Sequence, residues 1–217
     1  MKQEESDVRA MPRNVFTPRV LSKFASQVPE LSSAVESLKP ELRPSLKAPF
    51  EMLVQSVVYQ QLSGKAAKTI LGRLIALLQT LSPEAVLSKT EEELRSVGLS
   101  RQKASYIQNI ARAFGGGGRL HDFNSVEALR GHSSEEITDL FVDIKGVGEW
   151  TVQMYLIFSL GRLDVLAPKD LGVRKGIMKL YDLKEMPTPR DVEGIAERWN
   201  PLETVGTVLA WRVLSVE

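Results

Sequence analysis

The sequence predicts an all-α fold on three observations. Leu, Ala and Val recur at helical spacing, Ser, Thr, Pro and Gly separate these segments, and no series of short alternating strands is found. The length of 217 residues allows one domain or two small lobes that share a cleft. Residues 1–15 are polar, so we expect them to form a mobile tail rather than a secretory signal, followed by one domain over residues 16–217.

Each helix is predicted from the residues that can begin it. Pro49 opens a helix whose apolar face carries Phe50, Leu53, Val54, Val57 and Val58. Ser63 is a candidate N-cap for a helix that buries Ala66, Ala67, Ile70, Leu71, Leu74 and Ile75. Later helices begin after Ser82, Thr90, Ser100, Ser133 and Thr188, and a terminal helix ends near Leu214.

The composition excludes several classes of function. Because Lys plus Arg is 28 and Asp plus Glu is 27, a DNA-binding protein of this charge needs a local basic face or backbone-amide contacts. The absence of Cys excludes disulfides, Cys-ligated zinc, a thiolate nucleophile and Cys-bound iron–sulfur clusters. Only His121 and His132 remain for a His-ligated zinc site, which argues against one. No apolar run could span a bilayer, and we expect an intracellular protein, nuclear if the source is eukaryotic.

The most specific local pattern is Ile144-Lys145-Gly146-Val147-Gly148-Glu149-Trp150-Thr151, between an amphipathic helix and an apolar helix. Two glycines one residue apart allow a tight hairpin and bring backbone N–H groups near an anion at the start of the next helix. This geometry could hold a DNA phosphate, although any tight turn between helices could use the same residues. Residues 52–83 and 101–119 contain basic residues and no acid, which indicates either solvated helix faces or a surface for phosphates.

Four segments together carry a family resemblance: YQQLSGKAA at 59–67, VGLSRQKASYI at 97–107, IKGVGEWTV at 144–152 and LAPKDLG at 166–172. The chain resembles the helix-hairpin-helix DNA glycosylases with a Gly/Pro-rich loop and a catalytic Asp, in the alkylpurine branch (3-methyladenine DNA glycosylase II, yeast-type). The resemblance implies two helical lobes with a DNA cleft between them. It also implies a monomer that hydrolyses the N-glycosidic bond of alkylated purines in duplex DNA and so initiates base excision repair.

Asp170 matches the catalytic aspartate of this family. By its position alone, an Asp before an apolar stretch is a common helix N-cap. The two roles are compatible, because a capping carboxylate can still face a cleft. Within the resemblance, its carboxylate would stabilise the oxocarbenium-like sugar and orient or deprotonate the attacking water.

Trp150 occupies the position at which bifunctional relatives carry a nucleophilic Lys. Lys145 and Lys169 are close in sequence but do not match that position, so we expect a monofunctional enzyme. Trp150 is either a core aromatic residue or a π-face that attracts a cationic alkylated base. Met154 falls where bacterial relatives place an aromatic residue, and both residues are candidates for substrate binding.

The remaining candidates would contact DNA. Once the damaged base has left the stack, Leu62 is the candidate wedge, with Gln61 and Ser63 beside it and Lys65 on a phosphate. The alternatives are that Leu62 is a core residue, Ser63 only a cap and Lys65 only a surface residue. In the hairpin, the resemblance gives DNA contacts to Lys145, Gly146, Gly148 and Thr151.

We expect no cofactor, except that relatives bind an alkali cation at the hairpin through backbone carbonyls. In this chain, Na⁺ or K⁺ would be held by carbonyl groups near Val142, Ile144 and Val147.

One segment departs from the family pattern. After Trp199-Asn200-Pro201, relatives often carry an aromatic residue and then Arg, whereas this chain has Leu202, Glu203 and Thr204. Ser63 is also short for a residue that probes the minor groove. These differences favour an alternative function as a non-enzymatic or weakly active protein that binds damaged or abasic DNA.

Overall fold

The protein is described by a computed structural model over residues 13–215. Every regular element in this range is helical, which confirms the all-α prediction. The α-helices are α1 Pro18–Gln27, α2 Ser32–Leu38, α3 Pro49–Tyr59, α4 Gly64–Leu78, α5 Pro83–Leu87, α6 Glu91–Ser96, α7 Arg101–Phe114, α8 Val126–Leu129, α9 Ser134–Val142, α10 Glu149–Tyr155, α11 Leu171–Leu180, α12 Pro189–Ala196 and α13 Glu203–Val213. Short 3₁₀ helices lie at Pro29–Leu31, His121–Phe123 and Glu197–Trp199, and a π-helical turn, Leu156–Leu160, follows α10.

The helices belong to two compact units. The central unit is Lys47–Ser159, and the terminal unit joins the chain up to Leu46 with the chain from Leu160 onward. Residues 1–12 of the predicted tail lie outside the described residues. Asn14 and Val15 belong to the terminal unit, where Asn14 Oδ1 accepts the Leu42 amide and the Val15 amide donates to Leu42 O, each at 2.9 Å.

The helix starts follow the predicted caps. The side chains of Ser63, Ser82, Thr90, Ser100, Ser133 and Thr188 each accept a backbone N–H from the first turn of the helix that follows. In α6, α9 and α12 an acid in the first turn completes the capping box by accepting the N-cap amide. These bonds satisfy amide groups that would otherwise have no partner within the helix.

The core of the central unit is built around α3 and α7, which pack against each other. The five predicted apolar residues of α3 are all buried. A chain of aromatic contacts continues from Phe50 to Phe114, Phe141 and Tyr155, with ring centroids 5.6–6.5 Å apart. This packing connects α3, α7, α9 and α10 within one core.

The predicted core face of α4 is too wide. Ala67, Leu74 and Leu78 are buried, whereas Ala66 is exposed and Ile75 is 40% exposed. With about 100° of rotation per residue, the three buried residues share one direction, and Ala66 and Ile75 lie roughly 80–100° away from it. The helix therefore buries a narrower stripe than its apolar composition predicts.

The terminal unit is organised by the contact of α11 with α13. A Cβ atom added at Gly176 would lie 1.9 Å from the Ala210 carbonyl oxygen, so the two backbones touch at this point and only glycine fits. Asp170 caps the start of α11, and Trp211 lies near the end of α13. The close crossing of the two helices therefore helps to fix the positions of both residues.

Candidate functional site

The carboxylate of Asp170 is held by two donors in the terminal unit. Its Oδ1 accepts the Val173 amide at 2.8 Å, which makes Asp170 the N-cap of α11, and the Trp211 indole Nε1–H at 2.9 Å. The predicted capping role of Asp170 is confirmed. The side chain is only partly buried, so the carboxylate is both fixed in orientation and accessible.

Trp211 was not predicted as a site residue, and 41 residues separate it from Asp170. Gly172 makes room for the contact, since a Cβ atom there would lie 3.0 Å from Asp170 Oδ1 and 3.0 Å from Trp211 Cδ1. The sequence does show an Asp and a Gly two residues apart at the start of a helix and a Trp on a later helix. This pattern does not say that the Trp bonds to the Asp.

The hairpin between α9 and α10 is tightly built in the central unit. The Val147 amide donates to Ile144 O at 2.9 Å, and Gly146 has φ +108°. A Cβ atom at Gly146 would lie 2.2 Å from the Tyr106 ring, so the hairpin backbone rests directly on α7. Gly148 is exposed and is the N-cap of α10, which leaves the start of this helix directed at the surface. This arrangement can place backbone N–H groups near a phosphate.

The two polar residues of the hairpin differ in accessibility. The Lys145 side chain is exposed, and its carbonyl oxygen accepts Asn109 Nδ2 at 3.2 Å. Thr151 is only 2% exposed, and its amide donates to Gly148 O at 2.9 Å. The Thr151 side chain faces the interior of the unit, and the contact of this residue with DNA stays a prediction.

A pocket of about 600 Å³ opens in the central unit, with Trp150 and Met154 in its wall. Trp150 is 42% exposed and is therefore not a core aromatic residue, whereas Met154 is 7% exposed. Sequence reasoning missed most of the other lining residues, which are Met52, Gln55, Ser56, Tyr59, Gln60, Gln61 and Phe158. The wall is mainly aromatic and apolar, with a few amide and hydroxyl groups, as is typical of pockets for small molecules.

The Gln60–Ser63 loop, residues 60–63, follows α3 at the edge of this pocket. Gln61 has φ +56°, and Leu62 is 39% exposed, so Leu62 is not a core residue. The Leu62 amide donates to Tyr59 O at 3.3 Å, and Ser63 Oγ accepts the Ala66 amide at 3.4 Å. Lys65 and Lys68 are exposed on the first turns of α4. The loop thus presents an exposed apolar side chain next to basic residues.

Backbone carbonyls near the hairpin are suitable ligands for a cation. Ile144 O accepts the Val147 amide at 2.9 Å, and Val142 is the last residue of α9, where carbonyl groups have no amide partner within the helix. Carbonyl oxygens are ligands that alkali cations accept, so this donor set fits the predicted Na⁺ or K⁺. Among the described residues, no group of three or more His, Cys, Asp or Glu side chains could hold a metal ion.

The residues that depart from the family pattern have structural roles in the terminal unit. Leu202 is buried, Glu203 Oε1 accepts Asn200 Nδ2 at 2.8 Å, and Thr204 Oγ1 accepts the Val165 amide at 3.0 Å. The negative charge of Glu203 is therefore used to hold the turn before α13.

Comparisons with known proteins find related sequences and folds. Residues 54–201 match the family model described as HhH-GPD superfamily base excision DNA repair protein. DNA-3-methyladenine glycosylase 1 of Schizosaccharomyces pombe is 34% identical over 185 residues, which are 84% of this chain and 79% of the relative.

Two solved structures share the fold. The S. pombe 3-methyladenine DNA glycosylase in complex with abasic DNA superposes with a TM-score of 0.75 and 30% identity, covering 89% of this chain and 97% of that one. The DNA-3-methyladenine glycosidase of Bacillus halodurans superposes with a TM-score of 0.80 and 31% identity, covering 94% of this chain and 92% of that one. Within residues 13–215, no helix combines the length and the apolar character needed to cross a bilayer.

Proposed function

The chain belongs to the HhH-GPD superfamily of base excision DNA repair proteins, and we propose that it removes alkylated purines from duplex DNA by hydrolysing their N-glycosidic bonds. The observation that carries this proposal is the carboxylate of Asp170, which two donors hold in a fixed orientation at the start of α11. The product would be free base and an abasic site.

The reaction needs little acid catalysis. A purine alkylated at N3 or N7 carries positive charge in the nucleotide, so the electrons of the C1′–N9 bond neutralise the base as it leaves. The deoxyribose then becomes oxocarbenium-like, and the negative charge of Asp170 would stabilise it. Water adds to C1′ and gives up a proton, which Asp170 would accept or direct to solvent.

The pocket lined by Trp150 would receive the flipped base. Its volume of about 600 Å³ is sufficient for a purine, and the faces of Trp150 and Tyr59 would attract a cationic ring. Met154 would add apolar contact. Trp150 carries no amine, so no Schiff base can form at this position, and we propose a monofunctional enzyme without strand cleavage by β-elimination.

The DNA contacts would come from the Gln60–Ser63 loop and the hairpin. Leu62 would fill the space that the base leaves, with Gln61 and Ser63 in the minor groove and Lys65 on a phosphate. Lys145 and the backbone at Gly146 and Gly148 would contact another phosphate.

An alkali cation held by the carbonyl oxygens of Val142, Ile144 and Val147 would add positive charge at the hairpin. We propose that the protein acts as a monomer on damaged or abasic duplex DNA, in the nucleus if the source is eukaryotic.

The first test compares wild type with Asp170→Asn in base release from methylated duplex DNA. Asn keeps an Oδ1 that can accept both the Val173 amide and the Trp211 indole, so the substitution removes the charge and preserves the cap. We expect wild type to release 3-methyladenine or 7-methylguanine. The rate of release should be at least about a hundredfold lower in the variant. Asp191→Asn, in the exposed capping box of α12, is the matched control and should retain activity.

Binding to an abasic-site analogue is measured in parallel. If neither protein releases base and both bind the analogue tightly, the enzymatic function fails for these substrates. The alternative function, recognition of damaged DNA without excision, would then replace it.

A further inference from the structure

Lys103 of α7 is bonded to the end of α3, within the central unit. Its Nζ donates to Val58 O and to Gln60 O, each at 2.7 Å. The last carbonyls of a helix have no partner within that helix, and the dipole gives this end partial negative charge. The Lys103 ammonium therefore closes the C-terminal end of α3 at the point where the Gln60–Ser63 loop begins.

The position of Lys103 is unfavourable for α7 itself. Lys103 lies in the first turn after the N-cap Ser100, where the helix dipole disfavours a cation, and this turn contains no acid. Burial also lowers the pKa of Lys103 below its ordinary value. Both the helix dipole and burial thus disfavour the charged form of Lys103. Residues that break local rules in this way often serve a site rather than the fold.

The two acceptor carbonyls lie at the start of the part of the chain that shapes the site. Tyr59, Gln60 and Gln61 line the pocket, and the exposed Leu62 follows directly. Gln61 has φ +56°, a left-handed conformation that is uncommon for a residue other than glycine. Besides the backbone bonds from the Gln60 amide to Ser56 O and from the Leu62 amide to Tyr59 O, the Lys103 bonds to Val58 O and Gln60 O hold the chain just before Gln61.

The same helix also supports the hairpin. Tyr106 packs beneath Gly146, and Asn109 Nδ2 donates to Lys145 O. Lys103, Tyr106 and Asn109 are spaced three residues apart, so they follow one side of α7. A single rigid helix thus contacts both elements that would meet DNA in the central unit.

We propose that Lys103 is a positioning residue that holds the Gln60–Ser63 loop in the conformation needed to insert Leu62 and to form the pocket wall. This inference rests on the proposed function. Lys103 contacts neither the base nor the reacting sugar in it. Its effect is exerted through the two carbonyl groups, which restrict the loop before DNA is bound and reduce the entropy lost on insertion.

The first experiment uses Lys103→Met, which keeps the length of the stem and removes the ammonium. Single-turnover release of 7-methylguanine should fall by about tenfold or more. Insertion of Leu62 is followed separately with 2-aminopurine placed next to an abasic-site analogue, because the fluorescence of 2-aminopurine rises when a side chain unstacks this base. We expect a smaller rise with Lys103→Met than with wild type. The affinity of Lys103→Met for undamaged duplex should stay within about threefold of wild type, because the charged contacts with the phosphates remain. Lys184→Met, at an exposed lysine of the terminal unit, is the control.

Chemical rescue separates positioning from general packing. The sequence contains no Cys, so Lys103→Cys introduces a single thiol. Alkylation with 2-bromoethylamine in denaturant, followed by refolding, restores an ammonium on a side chain of lysine length, and alkylation with 1-bromopropane gives a neutral chain of equal length. Wild type is taken through the same steps. The aminoethyl derivative should recover release and the fluorescence rise to within about threefold of wild type, and the propyl derivative should recover neither.

The proposal is overturned if Lys103→Met or the propyl derivative inserts into abasic DNA as wild type does. It is also overturned if the aminoethyl and propyl derivatives are equally defective while their melting temperatures equal that of wild type. Failure of the proposed function is a separate result, in which wild type releases no base. The fluorescence assay on the abasic analogue needs no base release and still decides the role of Lys103.

Discussion

The substitution Trp211→Phe tests whether the orientation of Asp170 matters for base release. The indole Nε1–H lies 2.9 Å from Asp170 Oδ1, and the Val173 amide lies 2.8 Å from the same oxygen. Phenylalanine keeps an aromatic ring on α13 but has no donor. The variant therefore removes the indole bond to the carboxylate and leaves the bond from the Val173 amide in place.

The magnitude follows from the strength of a hydrogen bond to a charged group. Such a bond contributes about 1.5–3 kcal/mol, and each 1.4 kcal/mol or so corresponds to a factor of about ten in rate. If the carboxylate must be held in one orientation in the transition state, release should slow by about tenfold to about a hundredfold. We expect a value near the lower limit, because the Val173 amide still bonds to Oδ1.

Release is measured under single-turnover conditions with protein in excess over methylated duplex. Tyr181→Phe is the matched control, since it removes the hydroxyl that accepts Trp199 Nε1 at 3.2 Å, an indole bond of the same unit that does not involve Asp170. A wild-type rate in Trp211→Phe would refute the reasoning. An equal loss in Tyr181→Phe would show that general destabilisation of the terminal unit is the cause.

Two further predictions concern the central unit. Trp150→Leu should slow release of cationic 7-methylguanine by about threefold to thirtyfold, as expected for loss of a cation–π contact, and Trp150→Phe, which keeps an aromatic face, should slow it less. Equal losses in the two variants would contradict this role. Gly146→Ala should lower the free energy of unfolding by about 2 kcal/mol or more, because the new Cβ would lie 2.2 Å from the Tyr106 ring and because residue 146 has φ +108°. An unchanged melting temperature would show that the hairpin can move away from α7.

The helices were predictable because their starts are local. Ser63, Ser100 and Ser133 each cap the helix that follows, and the capping bond spans three residues. The capping role of Asp170 was predictable for the same reason. A signal of this kind needs no knowledge of the tertiary fold.

The contacts that complete the sites were not predictable in this way. Trp211 meets Asp170 across 41 residues, and Lys103 meets the carbonyls of Val58 and Gln60 across 45 and 43 residues. The burial of Thr151 and the exposure of Trp150, one residue earlier, depend on how α10 packs on its neighbours. Both residues belong to one motif, and the motif does not say which of them faces the interior.

The terminal unit is assembled from two separate stretches of chain, with the whole central unit between them. Synthesis on the ribosome therefore completes the central unit first, and its helices can pack while α11 and α13 are still absent. The indole that orients Asp170 is made late, at residue 211. A chain that ends between residues 181 and 210 would contain the residues of the pocket, the hairpin, the Gln60–Ser63 loop and α11, but it would lack the indole that bonds to Asp170. The carboxylate can therefore be held in its final orientation only after synthesis has passed residue 211.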